Sequence, residues 1–154
     1  MTARPLLIAL ALALAAPPVL AADRPQAVTD ALDLAAEDCA DFENGTLSGQ
    51  EMAAYSIDLT GDGRGWVVDT GRLSCSSAAS MFCGGTGGCP VTFVVGDSAT
   101  EVLTKGWTLA DFPPLRVILM QIHGSECGGT NLTPCVSAMV WDEGSQRFTV
   151  PDQN

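Results

Sequence analysis

Basic residues are scarce in this chain. Seven Lys and Arg stand against 18 Asp and Glu, for a formal net charge of −11 at neutral pH. Phosphate backbones and anionic headgroups are held by clusters of Lys and Arg, so a chain without such clusters is expected to bind neither nucleic acid nor a membrane surface. Long apolar runs are also missing after Ala22, which leaves no candidate for a later membrane-spanning helix. The cysteines include no C-x-x-C pair, the spacing that a thioredoxin-like redox site needs. No serine sits in a G-x-S-x-G elbow, there is only one histidine, and no internal repeat or long linker divides the chain.

What is present begins with a leader. Met1 to Ala22 carries one basic residue, Arg4, then the apolar stretch Leu6 to Ala16, then Pro17-Pro18 and the small-residue ending Val19-Leu20-Ala21-Ala22. That order predicts a cleaved signal peptide over 1–22, a mature domain over 23–154, and a periplasmic or secreted location. Cleavage removes Arg4 and no acid, making the mature chain more acidic still. All six cysteines, Cys39, Cys75, Cys83, Cys89, Cys127 and Cys135, lie beyond the leader. An even count in an oxidising compartment predicts a disulfide framework. Two short clips, Cys83 with Cys89 and Cys127 with Cys135, would leave Cys39 for Cys75, one of the many pairings that six cysteines allow.

Val28, Leu32, Ala35, Cys39 and Phe42 fall at alternating spacings of four and three, the stripe of an amphipathic helix over 25–42 with an acidic, solvated opposite face. After Asn44-Gly45 the pattern becomes extended. Strands are predicted over 54–59, 66–70, 91–95, 101–105, 115–123, 136–141 and 147–150, and the tight-turn residues between them favour antiparallel pairing. Leu115 to Met120 is apolar on both faces, as expected of a central strand covered by the helix on one side and by loops on the other. The predicted fold is therefore α+β: one N-terminal amphipathic helix packed on a mostly antiparallel sheet and stapled by disulfides.

The most chemically loaded stretch is Asp58 to Asp69, which carries Asp-x-Thr-x-Asp-Gly. Calcium takes six to eight oxygens, and here Asp58, Thr60, Asp62, the Arg64 carbonyl and Asp69 could supply them, with Gly63 at the sharp turn. The stretch resembles the calcium loops of EF-hands and, because strands flank it, those of FG-GAP repeats. That resemblance implies a Ca2+ cofactor with a structural role. Thr60 stands where the pattern has Asp or Asn, Trp66 where the FG-GAP loop has Asp, and Asp69 is shorter than the closing Glu of an EF-hand. Fewer charged ligands weaken binding, toward the extracellular regime of roughly 0.1–1 mM.

His123 stands four residues before Cys127, a spacing open to zinc, but six cysteines in an exported chain favour disulfides. As a general base it would need Asp69 or Glu126 in reach, which is the basis of an alternative reading as a small hydrolase. In combination, Asp-Leu-Thr-Gly-Asp-Gly, Cys-Gly-Gly-Thr-Gly-Gly-Cys and His-Gly-Ser-Glu-Cys-Gly resemble a group of small, disulfide-rich exported proteins of proteobacteria, over Cys39 to Phe148. The likeness implies one periplasmic domain and supplies no catalytic residue. The sequence therefore points to a non-enzymatic domain that binds another exported protein or an envelope component.

Overall fold

The computed structural model describes residues 24–85 and 87–150, so the leader expected over 1–22 lies outside the described residues. The first described element is α1 (Gln26–Asp41), whose opening turn is closed by Val28 N–H donating to the Pro25 carbonyl at 3.0 Å. Proline suits that place because its missing N–H is one that a helix start leaves unpaired. Then come β1 (Leu47–Ser48), a helical turn α2 (Gln50–Ala53), β2 (Ala54–Ser56) and β3 (Trp66–Asp69). They are followed by β4 (Ser74–Cys75), β5 (Cys89–Val95), β6 (Ser98–Thr104) and β7 (Gly106–Phe112). The chain finishes with β8 (Leu115–Gln121), β9 (Val136–Asp142) and β10 (Arg147–Thr149).

Every strand pairing is antiparallel. One four-stranded sheet runs β2-β3-β5-β6 and the other β10-β9-β8-β7, with β1 and β4 forming a small ribbon apart. Strand periodicity decides how they stack. On β3 and β5, Val67, Val91, Phe93 and Val95 point to one side and pack with Ile118, Met120, Met139 and Trp141 of the second sheet. Val68 and Val94, on the opposite side, pack beneath Val28, Leu32 and Ala35 of α1. The result is three layers: helix, sheet, sheet. At the rear of the core, Trp141 meets Phe148 edge-on at 5.2 Å, and Phe93 meets Trp107 at 5.1 Å.

The protein is thus α+β, with one main helix, mostly antiparallel sheets and three disulfides. The expectation of a single sheet with Leu115 to Met120 under the helix is corrected here. The helix covers the first sheet, whose β5 is buried on both sides, whereas β8 belongs to the second. The strand β7 occupies a stretch over which no strand was expected. Asp111 follows the inward row of Trp107 and Leu109 but lies exposed at the end of the sheet, 2.8 Å from its cross-strand partner Arg116 on β8, an ion pair whose angle is not that of a hydrogen bond.

Between β6 and β7 stands Lys105 alone, where the chain passes from one sheet to the other. Its N–H donates to the Gln121 carbonyl at 2.8 Å, and its ammonium donates to the Asn131 carbonyl and Oδ1 at 2.7 and 2.6 Å. Close approach at this corner demands Gly88, which has φ +93°: a Cβ there would lie 2.1 Å from the Thr104 carbonyl oxygen. Cys39–Cys75 ties α1 to β4, Cys83–Cys89 closes the loop before β5, and Cys127–Cys135 closes the loop between β8 and β9.

Candidate functional site

Three places carry chemistry. In the aspartate loop, the ladder from β2 and β3 continues through Ile57 and Leu59, whose N–H groups donate to the carbonyls of Gly65 and Arg64 at 3.0 and 2.9 Å. Asp58 Oδ1 accepts from the amides of Thr60 and Gly61 at 3.1 and 2.7 Å, and its Oδ2 faces the Arg116 guanidinium at 3.4 Å. Burial acts to raise the Asp58 pKa, but the three backbone amides of Gly61, Gly63 and Thr60, with Arg116, together hold it below the ordinary carboxylate value. The Thr60 hydroxyl donates to Asp62 and lies 3.3 Å from the Arg64 carbonyl. Hydrogen bonds from Thr60 and from Arg64 lower Asp62 as well. The Arg64 guanidinium spans both Asp62 oxygens, at 3.0 and 2.8 Å, and reaches Glu143 in the β9–β10 turn.

Asp58, Thr60, Asp62 and the Arg64 carbonyl are therefore brought together. As calcium ligands they fit in part. Thr60 Oγ1, Asp62 and the Arg64 carbonyl share one spot, but arginine already sits on each of the two carboxylates. Asp69 is engaged elsewhere: it accepts from Gly71 N–H at 3.0 Å and faces Arg72 at 3.4 Å, capping the turn after β3. Among the described residues no group of three or more His, Cys, Asp or Glu is arranged to hold a metal ion.

The second place is a pocket of about 370 Å³ between the open edges of the two sheets. Val102 of β6, Met120 of β8, Ile122, Met139 of β9, Phe148 of β10 and Val150 give it an apolar lining. His123, Glu126, Thr100 and Ser137 add polar groups. His123 opens the turn Gly124–Cys127, and its Nδ1 lies 2.7 Å from Ser125 Oγ and accepts from Ser125 N–H at 3.2 Å. Accepting that bond leaves the neutral ring's proton on Nε2. The imidazole thus works as a cap, and no hydrogen bond joins it to a carboxylate among the described residues. Asp69 lines a different cavity, with Tyr55, Arg72 and Trp107.

The third is the outer face of the second sheet. Register places Thr108, Ala110 and Phe112 of β7 beside Leu119, Val117 and Leu115 of β8. Beyond them lie Val136, Ala138 and Val140 of β9. Phe112 is 62 % exposed, Leu115 51 % and Val136 61 %. Helices α1 and α2 pack on β1, β2, β3 and β5, so among the described residues no helix covers this apolar face. Its charged groups, Asp142 and Arg147, are confined to one corner.

No family model, curated protein or solved structure matches this chain. Sequence reasoning singled out His123 and Glu126 but missed the apolar part of the pocket, because Val102, Met139 and Phe148 each read as ordinary core residues on separate strands. The outward row of Val117, Leu119, Ala138 and Val140 was the available signal for the face.

Proposed function

We propose that this chain is an exported, periplasmic or secreted binding module without catalysis of its own. It docks another exported protein through the outer face of the second sheet. The observation that carries this reading is an apolar sheet face with no layer over it, since large exposed apolar patches on otherwise polar surfaces mark interaction sites. Strand spacing of about 4.8 Å and a rise of about 3.4 Å per residue make the face roughly 20 Å across, the size of an interface core. The rest of the surface is strongly acidic, so the partner that fits has an apolar centre and a basic rim. A photoreactive residue at Val117, in cells that export the protein, should trap one partner, while the same group at Glu37 on the solvated side of α1 should trap none. Identical adducts from both positions, or none from Val117, would remove the docking face.

Calcium at the aspartate loop belongs to the same reading, as a stabiliser held by Asp58, Thr60, Asp62 and the Arg64 carbonyl. What favours it is the convergence of those oxygens; what opposes it is the arginine on each carboxylate. A weak site that binds only the folded state would still raise the unfolding midpoint in millimolar calcium relative to chelator, and Asp62→Ala should abolish the rise. Equal midpoints in the two conditions would leave the loop as an arginine-tied turn.

A further inference from the structure

The pocket between the sheet edges lies on the inner side of the second sheet, so it is separate from the docking face. We propose that it binds a small amphiphile, with an apolar body of about ten heavy atoms and a single cationic amine head. The volume of about 370 Å³ sits at the lower end of the range of about 300–1,000 Å³ that small-molecule sites occupy. Met120 and Met139 lie diagonally side by side on the inner face of β8 and β9, and their unbranched thioether chains adapt to an apolar group of variable shape. Phe148 adds an aromatic wall. This describes the body of the ligand.

The head follows from charge. Glu126 lines the pocket, and its carboxylate has no salt bridge among the described residues. The one lysine, Lys105, is committed to Asn131. With a net charge of −11 around it, a pocket carrying an unpaired carboxylate attracts a cation and repels a carboxylate or phosphate head. Thr100 and Ser137 supply hydroxyls that accept from an ammonium N–H.

Three probes of equal chain length separate the contributions: octylammonium, octanol and octanoate, each below its aggregation threshold. The readout is the methyl NMR signals of the four methionines of the mature, oxidised protein. Octylammonium should shift Met120 and Met139 saturably while Met52 and Met81 stay still, and octanoate should bind more weakly by about fivefold or more. The exposed substitution Glu126→Gln should cut octylammonium affinity by about two- to fivefold and leave octanol unchanged. Equal binding of all three probes, an unaltered preference in Glu126→Gln, or shifts that bypass Met120 and Met139 would each overturn the assignment. None of these outcomes bears on the Val117 crosslink, so the two sites stand or fall separately.

Discussion

Asp142 ends β9 and caps the turn into β10, with Ser145 N–H donating to its Oδ1 at 2.8 Å. That backbone bond is the main reason its pKa falls below the ordinary carboxylate value; burial opposes the shift, and Gly144, the Ser145 hydroxyl and Arg147 add to it. A carboxylate with a depressed folded-state pKa stabilises the fold above its unfolded pKa of about 3.9, and the contribution fades as pH drops through the folded value. Asp142→Ala should therefore be less stable than the parent near pH 6, with the gap narrowing by about pH 2.5. Urea midpoints across that range check it, and a gap that stayed constant or widened in acid would contradict the sign. One residue earlier on β9, the buried Trp141 Nε1–H has no hydrogen-bond partner among the described residues, so the same strand end holds one well-satisfied group and one orphan.

Helix α1 holds to the first sheet by a stripe one residue wide per turn, and Leu32, 6 % exposed, sits at its middle over Val68 and Val94. Truncation to alanine leaves a cavity between two rigid layers, so Leu32→Ala should cost about 2–5 kcal/mol in denaturant unfolding. A loss under about 1 kcal/mol would mean that the helix is not part of the cooperative core. This helix was legible because its spacing of four and three has no strand equivalent. The second sheet was less so. Val117 and Leu119 are apolar where a half-exposed strand is usually polar, and alternation alone reads such a strand as covered on both sides. Pairing resolves what alternation could not: Asp111 falls in the inward row of β7 yet lies exposed at the sheet's end, opposite Arg116. The aspartate loop was recognisable from six consecutive residues. The pocket was not, since its walls come from β6, β8, β9 and β10, which no local pattern joins.

For the whole molecule, the placing of the cystines matters as much as their number. Two lie before Lys105 and one lies after it, so no sulfur bridge crosses the corner at which the chain changes sheets. Residues 24–104 and 106–150 are covalently joined through that corner alone, and Lys105 is the only lysine in the sequence. A lysine-specific protease consequently has one place to cut, partly buried and hydrogen-bonded in the folded state. Where opening is fast relative to cleavage, the cutting rate reports the population of opened molecules rather than surface access. Digestion should be slow until the protein unfolds, and should then yield two fragments that separate on a gel run without reductant. Rapid cleavage under native conditions would show that the corner frays by itself. The corner is thus a built-in seam: one enzyme and one gel, with no label and no mutation, read how often the two sheets part company.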